Sequence, residues 1–237
     1  MVTVYYTKVF TSLQEREFLS YLDKIEEERR KKILLMKKEE SRLQSLTAGS
    51  LLHFALCERL GHVEKKDGPF SIGYGRNGKP YLKEYPDIHF NLSHSGRFVC
   101  CALSHTPVGV DIQKITDLKR GIAERFFTGK DNQRLEACGG EERKALFFRM
   151  WSIKESFIKL TGEGIAGGLD SFEIDWKRSV VSDGGKTEPS AYFSEWNELA
   201  EYSACVCSRE PLEKVVWKKA ALGCDKQSAG VDGCDCA

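Results

Sequence analysis

No run of apolar residues in this chain approaches the roughly 20 needed to cross a bilayer as a helix, so no membrane partner is expected. The opening segment MVTVYYTKVF lacks a basic n-region and a cleavage site. It alternates valine and aromatic residues with polar ones and reads as a strand, so no signal peptide is expected and the location implied is cytoplasmic. An excess of charge is also missing. With 36 Lys and Arg against 35 Asp and Glu, the net charge is +1 and sets up no strong long-range field. The basic stretch over 29–38 has no interleaved aromatics, so a nucleic-acid stacking platform is poorly supported. There is no P-loop, kinase or nuclease signature, and no internal repeat is evident. Paired metal-ligand spacing is absent from the nine cysteines. Without an export signal they are expected to be reduced thiols. Cys57, Cys100, Cys101, Cys205 and Cys207 lie in apolar segments and read as small core residues. Cys224, Cys234 and Cys236 lack a fourth ligand, which disfavours zinc.

What is present is an ordinary globular composition, 41% apolar and 30% charged. Strands are expected over 2–10, 90–93, 98–104, 108–113, 171–176, 190–194, 202–207 and 213–218. Helices are expected over 13–39, 42–60, 118–127, 131–138 and 141–160. The order of elements implies an α+β chain in two halves, 1–106 and 107–219, followed by a flexible tail over 220–237.

Four short segments can carry chemistry. In GVDIQ (109–113), strand alternation puts Val108, Val110 and Ile112 on one face and Gly109, Asp111 and Gln113 on the other. A carboxylate and an amide oxygen over a glycine that leaves space suit a hard cation. Two solvated polar residues at a strand end would give the same pattern. In WSIKESFIKL (151–160), Phe148, Trp151, Glu155 and Ile158 share one helix face, so Glu155 sits in an apolar stripe. It needs either a buried partner or cation, or an i,i+4 pair with Lys159. Lys154 and Lys159 could meet phosphate oxygens, or could be a solvated face. FNLSHSG (90–96) can present a hydroxyl, an imidazole and backbone N–H groups to a phosphate, and His94 alone is equally a turn histidine. Lys79 in GRNGKP (75–80) is a phosphate contact or an exposed turn lysine.

Together and in this order, GKPYL (78–82), FNLSHSG (90–96), GVDIQ (109–113), ERFFT (124–128) and WSIKESFIKLTGEGI (151–165) resemble the motifs of the 4′-phosphopantetheinyl transferases, in particular the surfactin-synthetase-activating type. The WxxKESFxK segment after a GVDI strand is the most specific pair. The resemblance implies a pseudo-twofold pair of similar α+β subdomains with coenzyme A in the cleft between them. It implies Mg²⁺-dependent transfer of 4′-phosphopantetheine to a serine of an apo acyl or peptidyl carrier protein, with Mn²⁺ as a substitute metal and adenosine 3′,5′-bisphosphate as by-product. Asp111 and Glu155 would be the metal carboxylates, and Gln113 stands where many members have a third acid. Glu155, Asp111 and Lys159 would be catalytic. Lys79, Ser93, His94, Lys154, Lys159, Arg29 and Lys32 would hold the cofactor, and Asp131 would lie near the site. Arg125, Phe126 and Phe127 are candidate carrier contacts, although core packing is the default for the two aromatics. A monomer is expected. The alternatives are a module that grips coenzyme A or a carrier protein without transfer, and a different Mg²⁺-dependent phosphoryl enzyme.

Overall fold

The computed structural model describes residues 1–61, 68–75, 77–164, 168–183 and 188–222. The elements run β1 (Val2–Lys8), α1 (Glu15–Leu22), α2 (Glu27–Leu35), α3 (Glu39–Arg59), β2 (Ile72–Tyr74), β3 (Pro80–Leu82), β4 (His89–Ser95), β5 (Phe98–Ser104), β6 (Val108–Lys114), α4 (Ile122–Phe126), α5 (Gly129–Glu136), α6 (Gly140–Thr161), β7 (Phe172–Asp175), β8 (Val180–Asp183), β9 (Ala191–Trp196), β10 (Tyr202–Ser208) and β11 (Val215–Lys219). The class is α+β, as the order of elements implied. One sheet has the order β11-β1-β5-β4 and a second the order β6-β10-β9-β8-β7, while β2 and β3 form a separate ribbon. All pairings are antiparallel except β1 with β11.

Strand alternation sorts the apolar residues into three clusters. On β5, Val99, Cys101 and Leu103 face α3, with Leu51, Ala55 and Leu56. Phe98, Cys100 and Ala102 face the other way and meet Val108, Val110 and Ile112 of β6 and Ala204 and Val206 of β10. On β10, Cys205 and Cys207 lie with Met150, Ile153 and Phe157 of α6. The layers are therefore α3, first sheet, second sheet and α6. Each half rests a long helix on its own sheet, and the middle cluster glues the sheets together.

The helical pattern expected over 13–39 is broken into α1 and α2, with α3 beginning at Glu39. The break carries Ile25 into the core, where it meets α3 at Gly49. A Cβ on Gly49 would lie 2.8 Å from Ile25 Cδ1, so the glycine receives that side chain. Between 118 and 127 only Ile122–Phe126 is helical, and β8 was not anticipated.

The end of the chain also differs from expectation. β11, from the stretch assigned to the second half, pairs in parallel with β1 of the first sheet. The tail was expected from residue 220, but the Ala220 N–H donates to the Tyr6 carbonyl at 2.8 Å, and Ala220 and Leu222 are buried in the first core. Cys224, Cys234 and Cys236 lie outside the described residues. The described cysteines, Cys57, Cys100, Cys101, Cys138, Cys205 and Cys207, are all free thiols. Among the described residues, no helix is long and apolar enough to cross a membrane.

β4 and β6 meet where the two sheets adjoin, and side chains join them. Asn91 Oδ1 accepts the Val110 N–H at 2.9 Å, Ser93 Oγ the Ile112 N–H at 3.3 Å, and Ser95 Oγ the Lys114 N–H at 2.9 Å. The constant offset of 19 means that the strands run parallel. Three short polar side chains thus satisfy backbone donors that would otherwise be orphaned at a sheet edge.

Candidate active site

The site is built on β6 and the last turns of α6. Gly109 lets them touch. A Cβ there would lie 2.0 Å from the Ser156 carbonyl oxygen and 2.5 Å from the Leu160 nitrogen. The glycine was expected to leave space for a ligand, but the helix backbone fills that space. Its role is close approach, which brings Asp111, two residues on, against the helix.

Asp111 is only 1% exposed, so the solvated strand end is ruled out. Its Oδ1 accepts from Lys159 Nζ at 2.6 Å and from Ser93 Oγ at 2.7 Å. Its Oδ2 accepts from the Gln113 amide nitrogen at 2.8 Å. Ser93 is buried and fully engaged: its hydroxyl donates to Asp111 and accepts from the Ile112 N–H and from Lys159 Nζ at 2.7 Å.

Glu155 sits beside this cluster and is 9% exposed. The i,i+4 pair with Lys159 does not form, because Lys159 turns to Asp111 instead. Among the described residues Glu155 makes no hydrogen bond or ion pair. Burial pushes its carboxyl above the ordinary carboxylate range, the negative charge of Asp111 pushes it further, and Lys159 opposes both. Glu155 therefore lies within electrostatic reach of a second carboxylate and, among the described residues, lacks a donor. Such a pair attracts a cation.

The remaining expected residues divide. His94 is exposed. Lost hydration first, then the positive charges of Lys159 and Arg29, hold its imidazole below the ordinary value. Arg29 on α2 is thus within electrostatic reach of His94. Lys32 is exposed and lies over the Tyr74 ring at 5.9 Å, next to the Tyr74 hydroxyl bond to Glu26. Lys79 donates to the Leu160 carbonyl at 2.7 Å and the Val108 carbonyl at 3.3 Å.

Lys154 is a correction. A phosphate contact was expected, but the side chain is 0% exposed. Its ammonium donates to the Leu169 and Phe172 carbonyls at 2.8 and 2.9 Å and pairs with Asp131 at 2.9 Å. Asp131 is therefore the partner of this lysine. The reason is helical geometry: neighbours on an α-helix are about 100° apart, so Lys154 cannot share the face of Glu155. It faces α5 and β7, while Glu155 and Lys159 face β6. Phe127 is core, Phe126 is half-buried edge-on to Trp151, and Arg125 lies over Phe126 at 5.0 Å.

Asn91 and Ser95 were not anticipated. Their signal was the period-2 run of short polar side chains, Asn91, Ser93 and Ser95, on one face of a strand. Among the described residues, no three His, Cys, Asp or Glu side chains converge as a metal cluster. The set here is two carboxylates and an amide, an all-oxygen offering that fits Mg²⁺ or Mn²⁺, which complete their shells with water or phosphate.

Residues 107–207 match the family model described as the 4′-phosphopantetheinyl transferase superfamily, and residues 12–106 match the 4′-phosphopantetheinyl transferase N-terminal model. The chain belongs to the 4′-phosphopantetheinyl transferase superfamily. It is 34% identical over 165 residues to 4′-phosphopantetheinyl transferase Sfp of Bacillus subtilis strain 168, covering 69% of this chain and 73% of that one. It is 41% identical over 141 residues to 4′-phosphopantetheinyl transferase psf-1 of Bacillus pumilus, covering 57% of this chain and 59% of that one. A Bacillus subtilis 4′-phosphopantetheinyl transferase is 38% identical over 145 residues, 60% of this chain and 64% of its own length. The chain thus spans about three fifths of the length of two of these relatives.

Proposed function

We propose that this protein transfers 4′-phosphopantetheine from coenzyme A to a serine of an acyl or peptidyl carrier protein. The observation that carries the proposal is the buried carboxylate of Asp111 on β6, bonded to Lys159 of α6 and Ser93 of β4, with Glu155 of α6 within reach of its charge. Asp111 and Glu155 are 44 positions apart and are carried by elements that touch at Gly109. The names of the relatives support the same reading.

In this reading coenzyme A lies between two similar halves, with its phosphates along Arg29, His94 and Lys159. Asp111 and Glu155 would hold Mg²⁺ or Mn²⁺, and Gln113, whose amide nitrogen donates to Asp111, would have its amide oxygen free to join them. Bound there, the ion would neutralise charge developing on the departing phosphate. Lys159, already within reach of Asp111, stabilises the same charge. The carrier serine attacks the phosphorus bearing the pantetheine arm. Its proton passes to Glu155, the carboxylate at the site that makes no hydrogen bond or ion pair among the described residues. The bond to adenosine 3′,5′-bisphosphate breaks, and that nucleotide leaves with the bridging oxygen.

The free thiols are consistent with a cytoplasmic location, and a monomer suffices for this chemistry because every named group comes from one chain. The test is incubation with apo carrier protein, coenzyme A and Mg²⁺, read by mass spectrometry. The expected result is carrier protein heavier by one phosphopantetheine. An unchanged carrier across acyl and peptidyl types would overturn the proposal and favour a module that binds without transfer.

A further inference from the structure

We infer that Lys79 is a positioning residue, which ties together the two elements that carry the carboxylates. This inference rests on the transfer reading for its kinetic meaning but not for its structural content.

The argument begins at the ribbon of β2 and β3. Tyr74 pairs with Pro80, so Lys79 is the last residue of the turn between them. Its stem runs along the C-cap of α6. A Cβ built on Gly162 would lie 3.2 Å from Lys79 Cδ and 3.3 Å from its Cβ. The ammonium then reaches two carbonyls at once. One belongs to Leu160, one residue beyond Lys159 and in the last turn of α6. The other belongs to Val108, the first residue of β6 and three before Asp111.

This placement suits a cation. The last carbonyls of a helix have no partner within it and carry partial negative charge. A lysine there satisfies an orphan acceptor and favours the dipole. By bonding β6 in the same gesture, Lys79 fixes how far along the strand the end of the helix sits. Gly109 permits the contact, and Lys79 pins its register. Two of the three ammonium donors are used on backbone, which leaves at most one for a phosphate.

The surroundings agree with a half-buried structural cation. Burial, and next the charge of Arg209, lower its pKa to about 8. Its own charge in turn helps to lower the pKa of His89 on β4.

The experiment compares Lys79→Met, which keeps the stem and loses the donors, with Lys79→Arg, which keeps a cation of similar reach. Three quantities are read: coenzyme A affinity by calorimetry without Mg²⁺, Mg²⁺ affinity of the free protein, and kcat of transfer. Misplacing groups by about 1 Å costs catalysis on the order of 100-fold. For Lys79→Met we expect kcat to fall roughly 10- to 100-fold and Mg²⁺ to bind several-fold more weakly. Coenzyme A affinity should stay within about twofold, and Lys79→Arg should recover most of kcat. A coenzyme A affinity lowered tenfold or more in Lys79→Met, with kcat at saturation and Mg²⁺ affinity preserved, would overturn the inference and make Lys79 a direct phosphate ligand. Wild-type behaviour of Lys79→Met in all three readouts would overturn it as well. If the wild-type protein transfers nothing, the functional reading fails, and Mg²⁺ affinity still decides the role of Lys79. Should Lys79→Met not fold, Lys79→Gln, a shorter neutral donor, takes its place with the same expected split.

Discussion

Replacing Lys154 with methionine separates a structural lysine from a cofactor-binding one. The native ammonium is 0% exposed and faces Asp131, itself 5% exposed, at 2.9 Å. It also donates to the Leu169 and Phe172 carbonyls. Methionine fills a similar volume but leaves a buried carboxylate and two carbonyls without this donor. Breaking a buried pair by removing one partner costs about 3–5 kcal/mol. For a chain of this size each kcal/mol shifts Tm by about 2–4 °C, so a fall of about 6–20 °C is expected. Thermal unfolding followed by circular dichroism reads this directly. Asp131→Leu added to Lys154→Met should recover part of the loss, because replacing both members of a buried pair is often near neutral. Recovery stays partial, since Asp131 also accepts the Thr128 N–H in the cap of α5 and the two carbonyls stay bare. The affinity of the folded Lys154→Met protein for coenzyme A should match wild type. An unchanged Tm together with a tenfold weaker coenzyme A affinity would refute the reasoning and return Lys154 to the phosphates.

Other outcomes follow from the same geometry. Glu155→Gln should abolish transfer and yet stabilise the metal-free protein by about 1–3 kcal/mol at neutral pH in urea unfolding, because a buried carboxylate without a donor is removed. The sign follows from the raised pKa of Glu155. The native state holds this proton more tightly than the unfolded chain, so wild-type stability falls as pH rises from the ordinary carboxylate pKa through the folded pKa, and the gap to Glu155→Gln opens across that window and is complete above it. Added Mg²⁺ should raise the Tm of wild type but not of Glu155→Gln, as binding to the native state alone requires. Asp111→Asn should likewise lose transfer while circular dichroism shows the fold retained. Gly109→Ala places a Cβ 2.0 Å from a backbone oxygen and should cost about 3 kcal/mol or more, seen as a lower urea midpoint. Asn91→Ala leaves the Val110 N–H unpaired in a buried joint and should cost about 1–3 kcal/mol by the same assay.

Periodicity in the chain specified much of this molecule. Alternation at Val108, Gly109, Val110, Asp111 and Ile112 assigned each residue to a face, and the structure keeps every assignment. The 3.6-residue repeat placed Glu155 among apolar neighbours, and burial followed. Both patterns arise from backbone geometry, which is local and therefore present in any short window of sequence. The ordered motifs identified the family for the same reason: a motif is a string.

Contacts between distant segments were a different matter. Nothing in WSIKESFIKL states that Lys159 would take Asp111 and that Lys154 would take Asp131, since both are lysines one or four positions from the same glutamate. Their roles diverged only when β6 and α5 packed on different faces of α6. Gly109 looked like room for a ligand and proved to be room for a helix. Residues 215–219, far along the chain, crossed back to pair with β1. In each case partner choice depended on which surfaces met in three dimensions, where burial makes an unpaired charge or backbone group costly. Local sequence set the face of each side chain, and tertiary packing decided what stood opposite it.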